Sequence, residues 1–402
     1  MHDKIYFHID VNSAFLSWSA VEKLKTDPTY DLRLIPSIIG GDRSNRHGIV
    51  LAKSIPAKAY GIQTAEPIAG ALKKCPTLII EPPQHELYKK YSHNLMSLLA
   101  SYCSDLEQLS IDECFLDFTE FAGAYASPVA AATIIKDKVY ESFGFTVNVG
   151  ISSKKVLAKM ASDFKKPNLV HTLFPEEIEK KMWPLPVSDL YMCGKSAVET
   201  LKKLGITTIG ELAKADTGIL EAHLKSHGIL LWEYANGIDD SVLSSDKVPL
   251  KGIGNSTTLP VDIETYEDAC DVLRKLSDKV AKRLREADQL AGMINVEIKY
   301  ADFTSVSRQT QAASPIDTSA SIYHYACTLY KELWNGSPVR LIGVRTSKLQ
   351  STAEPVQMNF FDLLDDTQKN EKQKQLDHAI DSIRQKYGES AVLRGSALKK
   401  KK

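Results

Sequence analysis

Three acidic residues in two short segments have the chemistry to bind a divalent cation. Asp10 ends the apolar run Lys4–Asp10 (KIYFHID), and Asp112 and Glu113 are adjacent within Leu109–Phe118 (LSIDECFLDF). A buried ionised carboxylate is costly unless a cation or a donor compensates it. Mg²⁺ is usually held by one or two carboxylates together with substrate phosphates. The pattern therefore indicates a site for phosphoryl transfer, in which one ion activates a hydroxyl and a second neutralises the leaving pyrophosphate.

Each acidic residue also has an interpretation that involves no metal. Asp10 could cap a helix that begins near Ser13, and Asp112 could form a surface ion pair. The alternation of apolar and polar residues in Leu109–Phe118 predicts a half-buried strand, on which Asp112 and Glu113 point to opposite faces. A twist of that strand would let one carboxylate bridge two ions while its neighbour reaches only one.

Basic residues in two segments could clamp a triphosphate, because lysine and arginine are the usual donors to phosphate oxygens. These residues are Arg43, Arg46, Lys53 and Lys58 in the first segment and Lys154, Lys155, Lys159, Lys165 and Lys166 in the second. Pro167 is predicted to end a helix immediately after Lys166, which would hold this lysine at a domain edge. The alternative for the other lysines is a solvated helix face.

Glycines in the segment Met192–Leu212 (MCGKSAVETLKKLGITTIGEL) suggest a phosphate-binding turn. Two short helices joined around Gly194 and Gly205 resemble a helix–hairpin–helix. Such turns present N–H groups to phosphates without reading bases. Since many helical turns contain glycine, this segment alone is weak evidence for DNA binding.

An apolar island, Gln357–Phe361 (QMNFF), lies in an otherwise polar tail that ends on four lysines. Its Met358, Phe360 and Phe361 predict a peptide that binds a groove on a partner. Packing of this segment on its own domain is the alternative.

The elements that must position these residues fall into successive regions. An α/β region runs to about Lys166, and short helices with glycine turns fill Pro175–Gly237. Ser241–Lys251 is polar and reads as a linker. Gly252–Lys348 alternates strands with two helices, over Tyr266–Asp288 and Ser319–Trp334, which predicts a small sheet backed by two helices. The tail beyond it contains a polar segment that is expected to be helical.

Composition predicts a soluble, intracellular, multidomain protein. The 402 residues carry 50 Lys and Arg against 50 Asp and Glu, so any nucleic-acid contact depends on local basic faces and not on net charge. The six cysteines form no C-x-x-C pair, which excludes the usual zinc spacing and favours free thiols. A signal peptide and a membrane-spanning segment are not expected.

Together these features resemble the Y-family DNA polymerases of the bacterial DNA polymerase IV type. The motifs that carry the resemblance are HIDVNSAF, SIDE, VGIS with KVLAKMASDFKKPN, and LKKLGI with ANGIDD, between about Tyr6 and Lys348. The family implies an α+β, right-hand architecture. Its regions on this chain would be a palm (1–18 and 76–166), small fingers (19–75), a helix–hairpin–helix thumb (167–238), a linker (239–251), a little finger (252–348) and a tail (349–402).

The resemblance also implies roles for individual residues. Asp10, Asp112 and Glu113 would bind two Mg²⁺ ions together with the Val11 carbonyl. Phe15 would be an aromatic steric gate beneath the sugar, where it excludes a 2′-hydroxyl. The remaining implied sites are Lys58 and Lys166 for the triphosphate, Gly194, Lys195 and Gly205 for DNA, and Gln357, Met358, Phe360 and Phe361 for the sliding clamp.

The activity implied is template-directed, error-prone translesion DNA synthesis without proofreading. Its partners would be primer–template DNA, a deoxynucleoside triphosphate (dNTP) and the bacterial β clamp, and the enzyme would be a cytoplasmic monomer. One stretch departs from the family pattern. Ser54–Lys58 reads SIPAK where a SYEAR-like segment is usual, so Ile55 and Lys58 replace a tyrosine and an arginine and predict a weaker grip on the triphosphate.

Two rival functions follow from the same residues. A nucleotidyl cyclase also carries an acid pair on a strand, but it needs no grip on a duplex and so leaves the hairpin and the clamp-like peptide unexplained. A DNA- and clamp-binding protein whose polymerase site has decayed at Ser54–Lys58 is the second alternative.

Overall fold

The computed structural model describes residues 4–41, 48–244, 249–353, 367–388 and 391–392. They divide into two compact units between residues 247 and 248. Over these residues, no helix is both long and apolar enough to cross a membrane. The six cysteines are free thiols, as expected from their spacing.

The first unit has eight strands and eleven α-helices within its described residues. The strands are β1 (Tyr6–Val11), β2 (Ser37–Gly40), β3 (Val50–Lys53), β4 (Ile79–Glu81), β5 (Leu106–Gln108), β6 (Glu113–Asp117), β7 (Val147–Ser152) and β8 (Val170–Thr172). The helices are α1 (Ala14–Leu24), α2 (Ile55–Ala59), α3 (Ile68–Lys74), α4 (His85–Ala100), α5 (Pro128–Phe143), α6 (Lys155–Ser162), α7 (Ile178–Lys181), α8 (Lys195–Lys203), α9 (Ile209–Ala213), α10 (Thr217–Leu224) and α11 (Ser226–Ala235).

Two of the predicted elements have the wrong extent. The strand expected over Leu109–Phe118 begins only at Glu113, and residues 110–112 form a bend before it. Asp112 therefore does not lie on the strand, and the expected alternation with Glu113 does not apply. The helix expected to reach Pro167 ends at Ser162, so Lys166 lies in the connection that follows α6 and not in its last turn.

The main sheet has the strand order β5-β6-β1-β7-β8. All its pairs are antiparallel except the parallel pair β7–β8. One face packs on α1, α4 and α5 and forms the largest apolar core of the unit, with Phe7, Ile9 and Val149 among its buried residues. Since side chains alternate along a strand, the neighbouring residues His8 and Asp10 point to the other face.

Helix α6 covers that other face, and Gly150 on β7 makes the close approach possible. A Cβ atom at this position would overlap the backbone oxygen of Ala158 and the backbone nitrogen of Ser162. Backbone atoms cannot rotate away as a flexible side chain can, so only glycine allows α6 to lie at this distance.

The smaller three-stranded sheet has the order β3-β2-β4 and packs with α2 and α3 around Ile38, Val50 and Ile68. Helix α2 starts regularly even though it contains Pro56. The Ser54 hydroxyl caps it by accepting a hydrogen bond from Ala57 N at 3.0 Å, and proline in the first turn has no amide hydrogen that the helix needs.

Helices α7 to α11 pack together with α6 around a further apolar core, which contains Leu157, Leu201 and Leu212. Gly194 caps the start of α8, and Gly205 lies in the turn that follows its end. Gly205 has a φ of 79°, and Met192, before α8, has a φ of 68°. A left-handed backbone is unfavourable for a residue with a Cβ, so Met192 occupies a position that glycine would fill more easily.

The second unit is an antiparallel sheet backed by two helices, as predicted. Its elements are β9 (Gly252–Ile263), α12 (Tyr266–Glu286), β10 (Gln289–Tyr300), β11 (Ser305–Ile316), α13 (Ser319–Leu333), β12 (Val339–Ser351) and α14 (Thr367–Tyr387). The strand order is β11-β10-β12-β9, and both α12 and α13 pack on the face that carries Ile294 and Val296. Buried ion pairs from Arg285 to Asp377 and Asp381 attach α14 to this module.

The contact at Gly150 leads to a stability prediction. Gly150→Ala should lower the free energy of unfolding by about 1–3 kcal/mol, because the new methyl group forces the backbones of α6 and β7 apart. Chemical denaturation followed by circular dichroism measures this change.

Gly70→Ala is the matched control, since Gly70 lies in α3 and a Cβ atom added there would have no atom within 4 Å of it outside its own helical surroundings. It should be neutral or stabilising by up to about 1 kcal/mol. Equal stability of the Gly150→Ala variant and the wild type would contradict the packing argument.

Candidate active site

A row of three polar residues crosses the face of the main sheet that α6 covers. Asp10 on β1 is directly opposite Glu113 on β6 and Asn148 on β7. Directly opposed residues on antiparallel strands point to the same side of the sheet with their Cβ atoms about 5 Å apart. The Asp10 and Glu113 carboxylates therefore lie side by side, and their side chains are only 15% and 23% exposed.

Lys166 neutralises Asp10. Its Nζ atom lies 2.5 Å from Asp10 Oδ2 and 2.9 Å from Asp163 Oδ1. Burial raises the pKa of Asp10 even though the ammonium group lowers it. Burial alone would lower the pKa of Lys166, but its two carboxylate partners raise it above its usual value. The pair is thus held together in a partly desolvated position.

Glu113 is neutralised from α6 and from a neighbouring position on β1. Lys159 forms an ion pair with it, and His8 Nε2 lies 3.2 Å from Glu113 Oε2. These contacts lower the pKa of Glu113 from 4.5 to about 2, and the contact with His8 has the largest effect. The ionised carboxylate therefore stabilises the fold above about pH 4.5, and this contribution is lost as the pH falls toward 2.

His8 lies on β1 two residues before Asp10, and it is completely buried. Its Nδ1 atom lies 2.8 Å from the Ser162 hydroxyl, and burial lowers the pKa of the imidazole. A neutral ring with its proton on Nε2 can direct that proton toward Glu113. The Ser162 hydroxyl lies within 2.8 Å of both His8 Nδ1 and Lys159 O and has a single proton to donate to one of these two acceptors. His8 thus joins the strand, the end of α6 and the acidic row.

Asp112 is next to the row but outside it. Its Oδ1 atom accepts a hydrogen bond of 2.6 Å from the Ser110 hydroxyl, and its carbonyl accepts one of 3.0 Å from Val11 N. The backbone bond attaches the bend to the end of β1, so Asp10, Val11, Asp112 and Glu113 occupy one corner of the sheet. Within the described part of the chain, however, no three His, Cys, Asp or Glu side chains converge in the way that a metal ion requires.

The chemistry of this corner nevertheless suits a hard divalent cation. All three predicted side-chain ligands offer oxygen, which Mg²⁺ prefers, and two of them share one face of the sheet. The lysine ammonium groups of Lys159 and Lys166 supply positive charge to the same carboxylates that a cation would bind. The residues therefore fit the predicted ion by donor type and charge.

Phe15 lies in the first turn of α1, close after Asp10. Its ring stacks on Tyr88 with the centroids 4.5 Å apart and the planes 8° apart. His85 meets its edge at 6.4 Å, and the Tyr88 hydroxyl is fixed by Ser19 at 2.9 Å. Phe15 is half-buried, so one part of the ring packs in the core and the rest stays accessible.

The other predicted site residues are not brought to the acidic row by contacts in the structure. Ile55 and Lys58 are exposed on α2. Burial lowers the pKa of Lys53, and the positive charge of Lys58 lowers it further. Gly194 and Lys195 are exposed at the start of α8. Arg43, Arg46 and the clamp-peptide residues Gln357, Met358, Phe360 and Phe361 lie outside the described residues.

Sequence reasoning missed His8, Asn12 and Asn148. All three are buried in the structure and contact the connection that carries Lys166 or the helix before it. A signal was present, because each is a polar residue beside or within the apolar strand runs YFHIDVN and TVNVGIS. A polar residue that is buried in a strand must find partners, and here those partners lie in α6 and in the connection that carries Lys166.

Comparisons with known proteins identify the family of the chain. The model of the impB/mucB/samB family matches residues 9–163, and that of its C-terminal domain matches residues 250–360. DNA polymerase IV of Clostridium acetobutylicum is 47% identical over 397 residues, which cover 99% of each chain. DNA polymerase IV 1 of Bacillus subtilis is 34% identical and covers 99% of this chain and 94% of its own.

A solved Y-family DNA polymerase chimera has the same fold, with a TM-score of 0.74 at 23% identity, over 86% of this chain and 99% of its own. The two family models and the nearly full-length similarity to DNA polymerase IV show that the chain belongs to the impB/mucB/samB family, as a Y-family DNA polymerase of the bacterial DNA polymerase IV type.

Proposed function

We propose that the protein extends a primer 3′-hydroxyl by template-directed, error-prone translesion synthesis, without proofreading, with two divalent cations held by Asp10, Asp112 and Glu113. The observation that carries this proposal is the direct opposition of Asp10 and Glu113 on one face of the main sheet. Their partial burial supports it, because carboxylates in such a position need compensation by positive charge.

The cations, which we take to be Mg²⁺, would lower the pKa of the attacking hydroxyl and stabilise the leaving pyrophosphate. Asp10 and Glu113 would bind them through side-chain oxygens, joined by Asp112 and the Val11 carbonyl. Lys159 and Lys166 keep both carboxylates ionised before the ions arrive. When the dNTP binds, the Lys166 ammonium group would turn from Asp10 toward the triphosphate, whose negative charge is larger.

The regions would take the roles of palm (1–18 and 76–166), fingers (19–75), thumb (167–238), linker (239–251) and little finger (252–348). Gly194, Lys195 and Gly205 at the ends of α8 would contact DNA phosphates through exposed backbone and charge. We further propose that the enzyme is a cytoplasmic monomer and that Gln357–Phe361 binds the sliding clamp.

A DNA- and clamp-binding protein with a weakened polymerase site remains the second candidate, because Ile55 and Lys58 are chemically poorer ligands than tyrosine and arginine. The regular capping of α2 argues against decay of this segment. Primer extension by the wild type with Mg²⁺ and saturating dNTP decides between the two, since the second candidate predicts none.

Removal of either member of the opposed acid pair should abolish synthesis. Asp10→Asn and Glu113→Gln are each expected to slow primer extension by about 1,000-fold or more, because each removes charge that binds a cation. Single-turnover extension with Mg²⁺ measures the rate. Glu120→Gln is the control, since Glu120 is exposed and away from the row, and it should retain the wild-type rate. Extension by Glu113→Gln at the wild-type rate would reject the assignment.

Removal of the Phe15 ring should relax sugar selection. Phe15→Ala is expected to raise ribonucleotide incorporation relative to deoxynucleotide incorporation by about tenfold or more, since the ring would no longer clash with a 2′-hydroxyl. The ratio of kcat/KM for the two nucleotides is the measurement. Phe143→Ala controls for lost aromatic packing, because Phe143 stacks on Phe145. An equal ratio in the Phe15→Ala variant and the wild type would show that Phe15 is only a core residue.

Restoration of the family residues on α2 should strengthen nucleotide binding. The double substitution Ile55→Tyr and Lys58→Arg is expected to lower the KM for dNTP by about three- to tenfold, with little change in kcat, because arginine can contact phosphate with two parallel donors. Steady-state primer extension gives both constants. Lys73→Arg, at an exposed lysine of α3, is the control. An unchanged KM in the double variant would mean that positions 55 and 58 do not contact the nucleotide.

Deletion of Gln357–Phe361 should abolish binding to the β clamp without altering distributive synthesis on short primers. Surface plasmon resonance with the purified clamp measures affinity, and primer extension without the clamp measures synthesis. Asp366→Ala, outside the peptide, serves as the control and should bind normally. If the deletion variant still binds the clamp with the wild-type affinity, another surface of the protein binds the clamp.

A further inference from the structure

We propose that the side chains of Asn12 and Asn148 position Lys166 for its contact with the triphosphate. These two residues are called the amide pair, and residues 163–169, which connect α6 to β8, are called the lysine loop. The inference rests on the proposed role of Lys166 in nucleotide binding. It assigns a function to two buried side chains whose hydrogen bonds go to the lysine loop, to Ser162 and Thr146, and to each other.

Asn148 uses its entire hydrogen-bonding capacity, with two bonds to the lysine loop, one to the end of α6 and one to Asn12. Its side chain is completely buried on β7. Its Nδ2 atom donates to Ser162 O at 3.1 Å and to Lys165 O at 2.7 Å. Its Oδ1 atom accepts from Leu169 N at 3.2 Å and from Asn12 Nδ2 at 3.1 Å. A side-chain amide has two donors and two acceptor lone pairs, so none is left unused.

Asn12 adds a second attachment from the end of β1. Its Oδ1 atom accepts from Asn168 N and from the Thr146 hydroxyl, each at 2.9 Å. Its backbone nitrogen donates to Thr146 O at 3.0 Å, which fixes the residue against β7. Because Asn12 also donates to Asn148, the two amides form one connected unit that spans both strands.

The backbone partners determine the orientation of both amides. Carbonyl oxygens of the loop can only accept, and its N–H groups can only donate, so Nδ2 of Asn148 must face Ser162 and Lys165 and its Oδ1 must face Leu169. An aspartate would keep the acceptors but lose both donors. It would also bring a negative oxygen close to two carbonyl oxygens. Asparagine is therefore required chemically and not only sterically.

Lys166 lies between the points that the amide pair holds. Lys165 is fixed through its carbonyl and Asn168 through its amide nitrogen, which leaves the lysine backbone little freedom. The side chain then reaches Asp10, which is the register partner of Asn148 on the neighbouring strand. Asp10 and Asn148 thus lie in the same row of the sheet. Asp10 pairs with Lys166, and Asn148 anchors the loop that carries this lysine. A displacement of about 1 Å at such a position can cost a large factor in binding or rate.

The experiment compares Asn148→Ala and Asn148→Asp with the wild type on a primer–template whose primer ends in a dideoxynucleotide. The dissociation constant for dNTP is measured in this nonreacting complex, and kcat and KM are measured on an extendable primer. Both variants are expected to weaken dNTP binding by about tenfold, with a smaller loss of kcat. In a Lys166→Ala background, either substitution should change the dissociation constant by less than about twofold, because the lysine that it positions is gone.

Ser152→Ala is the matched control for a lost buried hydrogen bond. Ser152 is also buried on β7, and its hydroxyl donates to Leu173 O at 2.5 Å, beyond the lysine loop. It should leave dNTP affinity unchanged even if it lowers the thermal midpoint. Lys165→Ala controls for the charge of the loop and should have a much smaller effect than Lys166→Ala.

The outcomes separate this inference from the function on which it rests. If Lys166→Ala leaves dNTP affinity unchanged, the proposed role of Lys166 is wrong, and positioning by the amide pair is wrong with it. If Lys166→Ala weakens binding but the Asn148 variants do not, or if their effects add fully to that of Lys166→Ala, only the positioning role is overturned. Should the Asn148 variants fail to fold, Asn12→Ala removes a single bond to the loop and is expected to weaken binding about threefold; unchanged affinity in that variant overturns the inference.

Discussion

The close contact between α6 and β7 at Gly150 determines the geometry of the acidic corner of the sheet. Because no side chain separates the two backbones, the end of α6 lies directly over the row Glu113–Asp10–Asn148. Lys159 then reaches Glu113, and the connection after the helix brings Lys166 to Asp10. A larger residue would lift the helix and separate every one of these pairs at once.

Electrostatic compensation is the second constraint on this corner. Two partly buried carboxylates side by side would repel each other and would tend to take up protons. Each has a lysine instead, and the pKa of Glu113 is about 2 while burial raises that of Asp10. The difference arises because Glu113 has two donors close to it, whereas Asp10 is more strongly desolvated. Both carboxylates thus have a positively charged side chain beside them.

Buried polar side chains connect this chemistry to the scaffold. His8 joins the sheet to Ser162, and the amides of Asn12 and Asn148 attach the loop around Lys166. Buried polar groups are costly unless their donors and acceptors have partners, and the Asn148 amide finds all four of its partners only in this arrangement of the loop. The apolar face of the same sheet supplies the stability that this polar face does not.

Much of this protein could be predicted from the sequence. Apolar periodicity identified β1, α4 and α5 and the alternating strands and helices of the second unit, because burial of one face imposes a local repeat. Residue type predicted Asp10, Asp112 and Glu113 as metal ligands, and the position of Lys166 before Pro167 together with the family resemblance predicted its contact with the triphosphate. Only the tertiary structure decided that Asp112 precedes its strand, that α6 ends at Ser162, and which lysine pairs with which carboxylate. Those features depend on strand register and on the distance between α6 and β7, which arise from contacts between residues far apart in the chain and leave no local repeat to read.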